Sequence, residues 1–114
     1  MTFEQLQEKV LSWADDKDLL HSENADKQFM KFIEEVFEFK TEMDNVLSYN
    51  DPYVDEAVDR MELEMGDIFV TLIILCNQIG IDTIECLEMA YNKISKRKGR
   101  TINGTFVKEE DLDE

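Results

Sequence analysis

The stretch IFVTLIILC, residues 68–76, decides the fold, because it is apolar nearly all round when it is drawn as a helix. It continues a helical pattern that starts near Tyr53, and Gly80 follows where a C-terminal cap belongs. Other helices must cover such a segment on every side. A chain of 114 residues supplies few neighbours, so we predict a bundle that is completed by homo-oligomerisation, as a dimer or a tetramer.

Three more helices are predicted around this central helix. Thr2 with Gln5 forms a capping-box pattern for the first helix, the second begins near Asp26, and Asp82 opens the fourth. The chain has only one proline and four glycines, and no segment shows a strong strand pattern. The predicted fold is therefore an all-α domain of four helices.

We expect residues 1–114 to form a single domain, because this length suits one hydrophobic core. The helical core extends over about residues 26–100, and an acidic tail follows at residues 101–114. Asp51-Pro52 predicts a turn between the second and third helices, and Asn103-Gly104 predicts a turn within the tail.

The charge of the chain limits its partners. The formal net charge is −15, from 27 acidic and 12 basic residues, so nucleic-acid backbones and anionic lipid should repel it. We expect no direct nucleic-acid binding. Five of the basic residues nevertheless lie between Lys93 and Arg100, which predicts an anionic ligand there. Interaction of these bases with a helix C-terminus is the alternative.

The cysteines and the apolar runs indicate a compartment. Cys76 and Cys86 lie in apolar helical patterns without metal-type spacing, as is usual in a reduced, intracellular protein. The N-terminal segment is amphipathic and lacks the apolar region of a signal peptide. The longest apolar run, residues 68–76, is far shorter than the ~20 residues that cross a bilayer. We expect a cytoplasmic protein with no membrane partner.

The second helix contains IEEVFEFK, residues 33–40, in which three glutamates lie within about one helical turn. The spacing places Glu35 and Glu38 opposite the predicted apolar face, with Glu34 at its margin. A charged stripe of this kind is ordinary on a surface helix and is weak evidence of function by itself. The predicted apolar face consists of Phe29, Phe32, Ile33, Val36, Phe37, Met43 and Leu47.

Glu64 and Asp67 make these acids more informative. They share a face of the third helix that continues through residues predicted to be buried, and a buried carboxylate requires a partner, a proton or a metal. Antiparallel packing of the two helices would set Glu35 and Glu38 against Glu64 and Asp67. With oxygen ligands and no histidine or cysteine nearby, the pattern favours Mg²⁺ or Mn²⁺ over zinc.

The acidic pattern resembles a known family. EExxE at residues 34–38 and ExxD at residues 64–67 resemble the motif of the MazG-type all-α nucleoside triphosphate pyrophosphohydrolases. The similarity extends to the segments KFIEEVFEF, ELEMGDIFVTLIIL and YNKISKRKGR, and it covers about residues 26–100. Phe37 and Phe39 depart from the family pattern at positions that concern packing more than metal binding.

The resemblance implies a Mg²⁺-dependent enzyme that hydrolyses a nucleoside triphosphate to the monophosphate and pyrophosphate, for house-cleaning of the nucleotide pool. On this basis the metal ligands are Glu35, Glu38, Glu64 and Asp67. The implied catalytic residues are Glu34, a candidate base, and Glu38. The residues expected to bind the substrate are Lys31, Asn92, Lys93, Lys96 and Arg97.

Other interpretations of the sequence stay open. The acids could form a solvated surface that docks a basic partner or mimics nucleic acid, and Mg²⁺ would then be irrelevant. A degenerate family member could bind nucleotide or metal as a sensor and turn over slowly. Trp13, Tyr53 and Tyr91 are first predicted to be core residues, with stacking on a base as the alternative.

Overall fold

The computed structural model describes residues 1–48 and 52–112, and it divides the chain into two compact units. The first unit comprises residues 1–83 and contains three helices. These helices are α1 (Phe3–Asp16), α2 (Ala25–Val46) and α3 (Val54–Gln78), with a short 3₁₀ turn (Ser22–Asn24) before α2. Asp51 of the predicted Asp51-Pro52 turn lies outside the described residues.

The second unit comprises residues 84–114. It contains nearly all of α4 (Thr83–Ile94) and an antiparallel hairpin of β1 (Gly99–Ile102) and β2 (Thr105–Lys108). A 3₁₀ turn (Glu109–Asp111) follows β2. The four predicted helices are present, and the all-α prediction is confirmed, because the hairpin is the only sheet in the described part of the chain.

The helix ends follow local sequence signals. At α1, the Gln5 backbone N–H donates to Thr2 Oγ1 at 3.1 Å, and the Thr2 backbone N–H donates to Gln5 Oε1 at 2.8 Å, which completes the predicted capping box. At the end of α3, Gly80 adopts a φ of 79°. Its N–H donates to the Asn77 carbonyl, and the N–H of Ile81 donates to the Cys76 carbonyl. This pair of bonds is a Schellman motif, which satisfies two free carbonyls of the last turn.

The α2 and α3 helices run antiparallel, which is the arrangement that would set Glu35 and Glu38 against Glu64 and Asp67. Near the start of α2, Gln28 Nε2 donates to the Thr71 carbonyl at 3.2 Å. Near its end, Arg60 Nε donates to Glu42 Oε2 at 3.0 Å. Since residue numbers rise along one helix as they fall along the other, the middle of α2 lies opposite the middle of α3.

The buried face of α2 matches the predicted apolar face only in part: Phe32, Ile33, Val36 and Met43 are half-buried. Phe29, Phe37 and Leu47 are exposed, whereas Glu35 is only 6% exposed. The buried stripe is partly polar because α3 offers polar partners along the contact, as the bonds of Gln28 and Glu42 show. The prediction followed the large aromatic side chains, but the facing helix decided which side of α2 is covered.

The core of the first unit is small and lies along α3. Its buried apolar residues are Ala14, Ala57, Ile73, Ile74 and Cys76. Within residues 68–76, every side chain except Phe69 is buried or half-buried in the first unit. The homo-oligomer stays a prediction. Trp13, Tyr53 and Tyr91 are all more than half exposed, so their assignment to the core was wrong.

The hairpin in the tail is a correction to the sequence analysis, which found no strong strand signal. Asn103 and Gly104 both have positive φ, at 51° and 79°. Two such residues in a two-residue connection form the turn whose twist matches that of paired strands. The predicted Asn103-Gly104 turn is therefore present, and it joins strands that are each four residues long.

Among the described residues, no single helix is long and apolar enough to cross a bilayer, although α3 and α4 taken together pass the same test of length and composition.

Candidate active site

Carboxylates from α2 and α3 converge in the first unit. One carboxylate oxygen from each of Glu35, Glu64 and Asp67 lies within 4.8 Å of the other two. Glu64 and Asp67 are three residues apart and so share a face of α3, while Glu35 points from α2 towards that face. The structure thus brings together three of the four residues predicted to bind metal.

The fourth residue, Glu38, joins this group through hydrogen bonds. It is one helical turn beyond Glu35, and its pKa is raised, first by a hydrogen bond with Glu35 and then by the charge of Glu35. A hydrogen bond with Glu64 acts on the pKa of Glu38 in the opposite direction. We call Glu35, Glu38, Glu64 and Asp67 the acidic cluster.

The centre of the acidic cluster lacks donors. With the carboxyls ionised, Glu35 Oε2 and Glu64 Oε2 are buried and have no hydrogen-bond donor among the described residues. The pKa of Glu64 rises to about 7, chiefly because burial disfavours its charged form. A hydrogen bond with Glu35 and the negative charges of Glu38 and Asp67 raise it further. A proton on Glu64 therefore supplies the donor that the ionised pair lacks.

Lys31 is the cation that contacts this group. Its Nζ lies 3.2 Å from Glu35 Oε1 and 3.5 Å from Glu34 Oε2. The pKa of Lys31 is raised, first by the hydrogen bond with Glu35 and next by the charge of Glu34. One ammonium group offsets only part of the charge of several adjacent carboxylates. Glu34 itself lies at the margin, with 57% of its side chain exposed.

The residues present fit a divalent metal ion. The ligands that the acidic cluster offers are all oxygen atoms, which is the donor set preferred by Mg²⁺ and Mn²⁺. Two of those oxygens are buried without a donor, and a cation there would compensate them. Mg²⁺ in phosphate-handling sites takes one or two carboxylates and completes its shell with water and phosphate.

The remaining predicted site residues lie in the second unit. Asn92 and Lys93 belong to the last turns of α4, and the Asn92 carbonyl accepts a 3.2 Å hydrogen bond from Ser95 Oγ. Lys96 and Arg97 follow the helix and are exposed. They line a hollow of about 540 Å³. Its other lining residues are Lys98, Lys108, Glu109 and Glu110.

Lys108 was missed by the sequence analysis. It is eight residues beyond Arg100 in sequence, but the strand register pairs it with Gly99. Lys108 therefore lies close to the basic residues between Lys93 and Arg100. The signal that could have found it was the Asn103-Gly104 turn, because a two-residue turn fixes which positions face each other across a hairpin.

The fold and the carboxylates define an all-α domain with a cluster of oxygen donors between two antiparallel helices. The model of the MazG nucleotide pyrophosphohydrolase domain matches residues 23–101, which include the whole acidic cluster and the basic stretch. The chain belongs to this family. Comparisons with curated proteins and with solved structures found no significant match.

Proposed function

We propose that this protein hydrolyses nucleoside triphosphates, NTPs or dNTPs, to the monophosphate and pyrophosphate in a Mg²⁺-dependent reaction. The observation that carries the proposal is the approach of Glu35, Glu64 and Asp67 oxygens to within 4.8 Å of one another, in a chain of the MazG family. A triphosphate bears several negative charges, so the acidic cluster would repel it in the absence of a divalent ion.

The acidic cluster would hold the metal. Glu35 is fixed in place by burial and by the contact with Lys31, and Glu64 and Asp67 approach it from the opposite helix. When bound, Mg²⁺ would neutralise phosphate charge and favour attack at the α-phosphorus. Mn²⁺ has the same preference for oxygen ligands and is the expected substitute.

Glu34 and Glu38 are our candidates for the residues that handle the attacking water. Glu34 is largely exposed, so a carboxylate oxygen is free to accept a proton from a water molecule beside the cluster. Glu38 contacts both Glu35 and Glu64. In this proposal it orients the water or completes the metal site.

The substrate's phosphates are assigned to basic residues. Lys93, Lys96 and Arg97, with Asn92, would bind the β and γ phosphates, because ammonium and guanidinium groups form charge-assisted hydrogen bonds with phosphate oxygens. Lys31 would contact the phosphates or continue to offset Glu35. We also expect a homo-oligomer, a dimer or a tetramer, which light scattering would measure.

The test is pyrophosphate release from a panel of NTPs and dNTPs, with and without Mg²⁺. We expect release from the wild-type protein that requires the metal and is lost in Glu38→Gln. Glu62→Gln is the matched control, since Glu62 is an exposed acid of α3 outside the acidic cluster. Absence of release from every nucleotide would refute the enzyme. Retained metal or nucleotide binding would then indicate a sensor, and its loss would indicate an acidic docking module.

A further inference from the structure

A groove between α1 and α3 adjoins the acidic cluster. Its volume is about 390 Å³, within the roughly 300–1,000 Å³ that is usual for small-molecule pockets. Leu6, Val10 and Trp13 line it from α1 at spacings of four and three residues, so they form one stripe of that helix. Asp67 and Val70 line it from α3.

Asp67 connects the groove to the proposed metal site. The same side chain lines the groove and lies with Glu35 and Glu64 in the carboxylate group. A ligand bound in the groove would therefore lie beside the acidic cluster, at Asp67. The contact between the two helices is also fixed beside it, because the rings of Phe3 and Phe69 meet edge to face at 6.0 Å.

The chemistry of the groove suits a flat, largely neutral group. Four of its lining residues, Leu6, Val10, Trp13 and Val70, are apolar or aromatic, and the charged ones are Lys9 and Asp67. Trp13 is 51% exposed, so a face of the indole is accessible to a ligand. Phosphate groups would be poorly solvated against such a wall, whereas a nucleobase would stack on it.

We propose that this groove binds the nucleobase of the substrate, with Trp13 as the stacking residue and Lys9 as a donor to polar atoms of the base or sugar. The inference rests on the proposed function, because it is the metal-bound phosphates that would place the base beside Asp67. A single sugar joins the base to the α-phosphate, so both groups must lie near each other. Stacking tolerates every base, and Trp13 therefore contributes to affinity more than to selectivity.

The chain offers a direct readout, because Trp13 is its single tryptophan. A nucleoside triphosphate with a methylene bridge between the α and β phosphates would be titrated with Mg²⁺ while Trp13 fluorescence is recorded. We expect saturable quenching. Inorganic tripolyphosphate is the control without a base, and it should compete with the nucleotide but leave the fluorescence unchanged. An equal response to both ligands would overturn the inference.

Kinetics provide the second arm of the test. Trp13→Ala should raise KM for the preferred nucleotide about tenfold or more, while kcat changes little. Trp13→Phe should restore most of the affinity, because a ring is retained. Phe29→Ala is the matched control, since Phe29 is an aromatic residue of similar exposure, at 49%, outside the groove. A loss of kcat without a change in KM would contradict a stacking role.

The two proposals fail in different ways. Suppose that hydrolysis is metal-dependent, but nucleotide does not change Trp13 fluorescence and Trp13→Ala has an unchanged KM. The base-binding role of the groove would then be wrong, and the proposed enzymatic activity would stand. If nucleotide quenches Trp13 fluorescence but no nucleoside triphosphate is hydrolysed, the base-binding role of the groove is supported and the proposed enzymatic activity is refuted. Fluorescence that depends on protein concentration and ignores nucleotide would mean that a second copy of the chain covers Trp13, which also overturns the inference.

Discussion

The first unit and one segment of the second unit concentrate opposite charges and expose them differently. Residues 1–83 contain 20 acidic and 6 basic residues, whereas residues 93–108 in the second unit contain six basic residues and no acid. We call residues 93–108 the basic segment. Its cations are exposed, except for the half-buried Lys108. In the first unit, by contrast, Glu35 is buried and Glu64 is half-buried.

The difference shows why charge density alone does not locate a site. Exposed like charges are screened by water and salt, so the basic segment is tolerated without any ligand. Buried like charges must share protons or bind a cation. The raised pKa of Glu64 shows that its charged form is disfavoured in this way. The acidic cluster is therefore the region whose function can be argued from physics, whereas the exposed basic segment does not by itself indicate a ligand.

Removal of the half-buried Glu64 carboxylate should have the largest effect on activity. We expect Glu64→Gln to lower Mg²⁺-dependent pyrophosphate release by about 100-fold or more, since the amide loses the charge that would hold the cation. Glu62→Gln, two residues away on the same helix, should retain activity. Comparable activity of the two variants would show that the acidic cluster does not carry the reaction.

Removal of an exposed cation should have a smaller effect. Arg97→Ala should raise KM about tenfold, because an exposed hydrogen bond with phosphate lies at the low end, roughly 1.5 kcal/mol, of what a charge-assisted bond contributes. Lys40→Ala is the control, as Lys40 pairs with Asp44 at 2.6 Å on the surface of α2. An unchanged KM in Arg97→Ala would separate the basic segment from substrate binding.

The pH dependence of stability should give the smallest signal, in thermal unfolding. Because the pKa of Glu64 is raised to about 7 in the folded state, the metal-free protein should lose stability as pH rises from the ordinary value of 4.5 towards 7. Mg²⁺ replaces the proton and should stabilise the protein more at pH 8 than at pH 5.5.

At about ten times its Kd, Mg²⁺ should contribute roughly 1.4 kcal/mol at pH 8, or a rise in Tm of about 6 °C for a chain of 114 residues. Glu64→Gln should be more stable than the metal-free wild type at pH 8 and should respond weakly to Mg²⁺. Equal stabilisation by Mg²⁺ at both pH values would contradict a metal site that includes Glu64.

Much of the site could be predicted because its residues lie at fixed helical spacings. Glu35 with Glu38, and Glu64 with Asp67, share faces of their helices whatever surrounds them. The antiparallel packing of α2 and α3, under which these two acidic faces would meet, was only a condition at the level of the sequence, and the structure supplies it. The burial of Glu35 could not be predicted, because Phe29 and Phe37 suggested a different inner face and only the packing of α3 decided between them.

Sequence alone determined the elements whose bonds join near neighbours. The capping box at Thr2, the Schellman turn at Gly80 and the turn at Asn103-Gly104 each depend on residues a few positions apart. Tertiary structure decided the burial of Glu35 and the groove that joins Trp13 to Asp67. Those contacts link residues far apart in the chain, and their geometry is set by how whole elements pack.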